Sequence, residues 1–184
     1  MQKIKKLAVI VGHTEKDGGA VMNHPSKMCE YDFNTRVAKI MEQIQGAYAI
    51  TTKIIYRDHI GLRGAYEQAV FFAADAIMEL HFNSSVSEKA SGALVLVSAE
   101  HKNHPLAVCV QSQILGLFGG NDRGLQVPFP TDRGWGNVNR GIPYFLLEPF
   151  FGSNKEQCEF ALMNVVKYAA VLFDAVEDYN EKCT

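Results

Sequence analysis

The sequence predicts a single-domain α/β sandwich, a largely parallel (mixed) sheet of about six strands flanked by helices. Two observations predict it. Short apolar runs alternate with amphipathic stretches along the whole chain, and its 184 residues contain no internal repeat, low-complexity tract or Pro/Ser-rich linker that would mark a boundary. Residues 1–184 are therefore read as one domain, long enough to bury a sizeable core.

The elements follow in order. "KKLAVIVG" reads as a buried first strand, and "YDFNTRVAKIMEQIQ" as a helix with Phe33, Val37, Ile40, Met41 and Ile44 on one face. "AITTKIIYR" is β-rich, whereas "LRGAYEQAVFFAADA" is helical. "AIMELHF" and "GALVLVSA" are strands, and "HPLAVCVQSQILGLFGG" is a helix with Pro105 near its first turn and glycines at its end. "PYFLLEPF" is a short strand bounded by prolines. One long closing helix is predicted over "NKEQCEFALMNVVKYAAVLFDAVEDYNEK", with Asn154 as its N-cap.

Composition excludes several classes of function. The chain is 47% hydrophobic and 21% charged, which is ordinary for a folded protein, and its formal net charge of −2 gives no basic footprint for nucleic acid. Three lysines precede the run from Leu7 to Val11, but that run is too short for a secretion signal, and no stretch approaches the roughly 18 apolar residues of a membrane span. Synthesis in the cytoplasm without a signal peptide is the expectation. Cys29, Cys109, Cys158 and Cys183 are scattered without a C-x-x-C pair, which argues against a zinc ribbon or a disulfide framework.

The architecture points to a site. In open α/β sheets, ligands bind outside the carboxyl ends of the strands. His13 ends the first strand after Gly12, His81 ends "AIMELHF" ahead of the polar Asn83, Ser84 and Ser85, and Glu148 ends "PYFLLEPF". Parallel strands would bring all three to one edge, where the first helix opens with Glu30 and its neighbour Asp32. Two histidines and a carboxylate are a common catalytic zinc set that leaves a position open for water. Zinc so held lowers the pKa of water to about 7 and polarises a carbonyl, while a further glutamate within reach can move the proton. Such a layout suits amide hydrolysis. For Glu148, a buried salt bridge with Arg57, Arg63 or Arg140 is the structural alternative.

Five short motifs occur in a fixed order: "VIVGHTEKDGGAV", "EYDFN", "LHFNSS", "SGALVLV" and "FLLEPFFGSN". Together they resemble the signatures of the zinc-dependent N-acetylmuramoyl-L-alanine amidases of the type 3 family, over essentially the whole chain, and "RGLQV" fits that family's Arg-Gly segment. The resemblance implies a peptidoglycan hydrolase with His13, Glu30 and His81 as zinc ligands and Glu148 as the catalytic glutamate, and the x-Asp-x-Asn that follows Glu30 favours it over Asp32. Two departures bear on substrate preference. Residues Thr14 to Asp17 separate the Gly-His from Gly18-Gly19, and Ser84 stands where the family usually has alanine.

Other residues are assigned plainer roles. His24 is expected in solvent, His101 and His104 at the surface or as caps, Cys29 in packing, and the glycines at 119–120 and 134–141 in turns. "VPFPTDRGWGNVNRG" is the expected substrate-contacting loop: Trp135 can stack on a sugar or peptide face, and Arg133 or Arg140 can pair with a stem-peptide carboxylate. Asn83 joins this substrate-binding set. The expected partner is thus peptidoglycan, met at the cell wall by a cellular enzyme or a phage-type endolysin. Alternatives are another zinc amide hydrolase, such as a carboxypeptidase-like enzyme, and a non-catalytic wall-binding module. The former would show a closely spaced His-x-x-Glu, and the latter a lost ligand or a lost Glu148.

Overall fold

Strands that are apolar at every position need cover on both faces, and the chain supplies it. The computed structural model describes residues 2–183. β1 (Lys6–Val11), β2 (Thr51–Tyr56), β3 (Ala76–Leu80), β4 (Ala93–Leu96), β5 (Asp122–Gln126) and β6 (Tyr144–Glu148) form one six-stranded sheet in the order β2-β1-β3-β6-β4-β5. β2, β1, β3 and β6 are mutually parallel, β4 runs antiparallel to β6, and β5 is parallel to β4. The sheet is therefore mixed and mostly parallel, as the alternation predicts.

Alternation along each strand divides the core. Leu7, Val9 and Val11 face one side, where α1 (Glu30–Ile44), α3 (Pro105–Phe118), α5 (Lys155–Met163) and α6 (Val165–Glu181) supply the larger apolar cluster. Ala8 and Ile10 face the other, against α2 (Gly61–Phe71) and the single turn α4 (Trp135–Val138). The helix α3 begins as read: Pro105 occupies its first turn and the His104 ring accepts from the Leu106 amide. Asn154 caps α5 by accepting from the Gln157 amide.

Four readings need correction. The closing segment is two helices, because the Asn164 side chain donates to the Phe160 carbonyl and its backbone leaves the helical range at φ −117° and ψ 21°. The second helix stops at Phe71, and Ala73 beyond it takes a left-handed φ of 56°. β5 gave no strand signal because "DRGLQ" is polar and largely exposed at the sheet edge. Its pairing with β4 alone makes it a strand. His101 is buried rather than at the surface, its Nδ1 lying 2.9 Å from Ser98 Oγ.

The strand order positions the site. The chain leaves β1 toward β2 on one side, whereas β3 lies on the other, so the carboxyl ends of β1 and β3 flank a switch point. One carbonyl ties this edge together: Leu80 O accepts from the Gly12 amide at 3.0 Å and from Asn34 Nδ2 at 3.0 Å, fixing the end of β1 and the first turns of α1 to the end of β3. Beneath it lies an aromatic cluster. Phe33 is fully buried, 5.3 Å from the Phe150 ring and 6.1 Å from Phe82, both edge-on. Phe33→Ala is expected to lower unfolding free energy by about 3–5 kcal/mol in urea titrations, through the cavity it leaves. An unchanged midpoint would show that the helix is held by other contacts.

Candidate active site and metal centre

His13 follows the last residue pair of the β1 edge with a left-handed φ of 64°, a rare conformation for a residue with a side chain. Two glycines make room for the rings. A Cβ on Gly12 would lie 2.5 Å from His81 Cε1, and one on Gly19, whose φ is +75°, would lie 2.6 Å from His13 Cδ2. The two imidazoles thereby approach edge to face, with centroids 5.0 Å apart.

Glu30 joins them. It is buried at the first position of α1, where its amide donates to the Ala20 carbonyl at 2.8 Å. Its Oε2 accepts from the Ala20 amide at 3.0 Å and lies 3.2 Å from His13 Nε2. Its Oε1 accepts from the Phe82 amide at 3.0 Å and lies 2.8 Å from His81 Nδ1. Asp32, by contrast, is exposed. Ligand atoms of His13, Glu30 and His81 all fall within 4.8 Å of one another. Donors on a tetrahedral zinc are about 3.3 Å apart, so the spacing and the His/His/carboxylate chemistry fit that ion. Burial works against the charge on Glu30, but the bonds and charges of His13 and His81 outweigh it and hold the carboxyl at about 2. Burial would likewise lower His81, yet Glu79 and Glu30 on either side push it up to about 10.

Glu148 stands at the end of β6, in the same cavity of about 760 Å³ as the three clustered residues. Burial pushes its carboxyl up to about 7, opposed by His81, Asn83 and Arg123. The salt-bridge alternative finds no support. Arg57 pairs with Glu79 at 2.7 Å, Arg63 with Glu67 at 2.8 Å, and the Arg140 guanidinium sits 5.1 Å from the Tyr66 ring centroid. Asn83 and Arg133 line the cavity, whereas Arg140 does not. Trp135 opens α4 beside the cavity and is 39% exposed. His24 is exposed and away from it, and Cys29 packs against Gly18.

Sequence reasoning missed Glu79. It is fully buried on the α2/α4 side of the sheet and gathers donors from three elements: Arg57 Nη1 at 2.7 Å, Tyr144 OH at 2.7 Å and Asn137 Nδ2 at 2.6 Å. His81 Nε2 lies 3.2 Å from its Oε1. The signal was present, since a glutamate inside an apolar strand two residues before His81 shares its face of the pleat.

Residues 7–177 match the profile of the type 3 N-acetylmuramoyl-L-alanine amidase family. The chain belongs to this family. It is accordingly an enzyme of the class that hydrolyses the bond between N-acetylmuramic acid and L-alanine in peptidoglycan, as the five motifs imply. Solved structures share the amidase fold at low identity. The catalytic domain of CwlV, an N-acetylmuramoyl-L-alanine amidase from Bacillus (Paenibacillus) polymyxa, superposes with a TM-score of 0.80 at 22% identity, covering 97% of this chain and 99% of that one. An N-acetylmuramoyl-L-alanine amidase from Clostridium difficile 630 gives 0.80 at 21%, covering 98% of each chain. The catalytic domain of the CD27L endolysin, which targets Clostridium difficile, gives 0.69 at 19%, covering 95% of this chain and 97% of its own. No curated protein matches the chain.

The loop after His13 is anchored. Asp58 Oδ1 accepts from the Glu15 amide at 2.8 Å and its Oδ2 from Tyr31 OH at 2.7 Å, so the β2–α2 turn holds both the loop and the start of α1. Gly12 has no room for a side chain. Gly12→Ala is expected to push both the Leu80 carbonyl and the His81 ring aside and cost about 1–3 kcal/mol from overpacking. The measurements are the His81 Cε1–H resonance and the melting temperature, and an unshifted resonance with unchanged melting would refute the close approach.

Proposed function

We propose that the chain is a zinc hydrolase in which His13, Glu30 and His81 hold the metal and Glu148 moves the proton. The observation that carries this reading is the convergence of three ligand atoms within 4.8 Å beside a second glutamate, Glu148, in one cleft. Bound zinc would supply Lewis-acid chemistry, acidifying water and polarising the amide carbonyl. This chain's residues would do the rest. Glu148 takes a proton from the attacking water as its oxygen adds to the lactyl carbonyl carbon of N-acetylmuramic acid. It then gives a proton to the L-alanine nitrogen as the C–N bond breaks, so a carboxylate and an amine are released. A carboxyl pushed up to about 7 by burial suits that exchange near neutral pH.

Arg133 on the cavity wall suits a stem-peptide carboxylate, Asn83 can hydrogen-bond the substrate beside Glu148, and exposed Trp135 offers a stacking face. The whole chain would serve as the catalytic domain, acting on peptidoglycan at the cell wall. Among the described residues no helix is long and apolar enough to cross a membrane. A non-catalytic module would have no need of a complete ligand set together with Glu148.

Two sets of variants separate the roles. His13→Ala and His81→Ala are each expected to lose stoichiometric zinc and activity together, read by metal analysis and by free L-alanine amino termini in peptidoglycan digests. Retained zinc in either variant would displace that residue from the ligand set. Glu148→Ala is expected to keep zinc and a melting temperature at least equal to the parent, because among the described residues no arginine is in ion-pair contact with it. Its turnover should fall by about 10²–10⁴. An active but unstable Glu148→Ala protein would make the residue structural instead.

A further inference from the structure

Glu79 sits behind His81, on the side away from Glu30. Every polar group that reaches it is a donor: Arg57 Nη1 and His81 Nε2 toward Oε1, Asn137 Nδ2 and Tyr144 OH toward Oε2. A carboxylate has about four acceptor positions, so these four groups match its capacity. Three are already short hydrogen bonds of 2.6–2.7 Å. The fourth, His81 Nε2, is buried, lies 3.2 Å from Oε1 at ion-pair distance, and makes no aligned hydrogen bond to any group among the described residues. A neutral imidazole carries one N–H, and the partner of one nitrogen decides which of the two remains a lone pair. The other ring nitrogen, Nδ1, lies 2.8 Å from Glu30 Oε1.

We infer that Glu79 is a positioning residue for His81: clamped by Arg57, Tyr144 and Asn137, it accepts from Nε2–H, keeping the ring proton on that nitrogen and leaving Nδ1 as the atom presented to the metal. Carboxylates behind metal-bound histidines fix tautomer and ring orientation and make the ligand more basic. Here the clamp reaches further, because Asn137 belongs to α4, the turn that directly follows the cavity-lining Arg133 and Gly134. One buried carboxylate thus holds a ligand on one side and the rim segment on the other. Glutamine cannot replace it, since its single oxygen leaves two of the four donors facing an NH2 group.

The inference rests on His81 being a zinc ligand, and the test separates the two ideas. Zinc Kd would be measured for the full chain and for Glu79→Gln and Glu79→Asp by competition with a chromophoric chelator. Long-range ¹H–¹⁵N spectra of the zinc-loaded parent would identify the coordinated nitrogen of His81. Expected are stoichiometric zinc and Nδ1 coordination in the parent. Glu79→Gln should bind zinc about 10–100-fold more weakly with an unchanged circular dichroism spectrum, and Glu79→Asp should recover part of the loss by keeping the charge. Nε2 coordination in the parent, which needs no variant to fold, would overturn the inference. Parental zinc affinity in Glu79→Gln would overturn it while leaving His81 a ligand, whereas a parent that binds no zinc would remove both.

Discussion

The carboxylate of Glu30 is the interaction on which this structure turns. It is buried, and burial alone would neutralise it, yet it stays ionised because four groups from separate parts of the chain point at it: the Ala20 amide, the Phe82 amide, His13 and His81. Those groups can converge only if α1 starts where β1 and β3 end. The Leu80 carbonyl enforces that placement by binding both Gly12 and Asn34, four residues along α1 from Glu30. Phe33 and its aromatic neighbours then support the same turn from below. The site and the core are in this sense one construction.

Three glutamates interact with His81, and their surroundings set them apart. Glu30 and Glu79 lie on opposite sides of His81, each surrounded by donors that hold it at about 2. For Glu79, burial raises the carboxyl while His81, Arg57 and Asn137 lower it further than burial can lift it. Glu148 has weaker compensation, so burial wins and the carboxyl rises to about 7. Two fixed anions suit a cation site, and a third group that exchanges its proton near neutrality suits acid and base work. The three glutamates thus differ in protonation because they differ in the donors and charges around them.

Much of this was legible in the sequence, for a physical reason. Apolar strands followed at once by His13, His81 and Glu148 can be read because strand-end position in a parallel sheet predicts convergence without knowing any contact. Glu148 could also be singled out by its apolar neighbours. The same logic applied to Glu79, but it was hidden inside "AIMELHF", where attention falls on the histidine and the partners Arg57, Asn137 and Tyr144 are scattered over the chain. β5 was illegible because an edge strand needs no apolar alternation, and the break at Asn164 because it rests on one side-chain hydrogen bond. Arg140 was grouped with the substrate loop by proximity in sequence, while its guanidinium found the Tyr66 face.

The contrast between 22% identity and a TM-score of 0.80 follows from the same division of labour. Core positions on both sheet faces ask only for apolar volume, which many combinations of Val, Ile, Leu, Met and Phe can fill. Strand ends ask for more. Gly12 must lack a side chain because the Leu80 carbonyl and the His81 ring occupy that space, Gly19 because His13 does, and Glu30 must reach two oxygens to four donors. The rim is under neither demand: the loop from Thr14 to Asp17 and the segment around Arg133 and Trp135 are held at a few points, by Asp58 and by Asn137, and are otherwise exposed. Loops held at so few points tolerate change better than the strand ends they connect, so in this fold sequence freedom is concentrated at the cavity rim and sequence constraint beneath it.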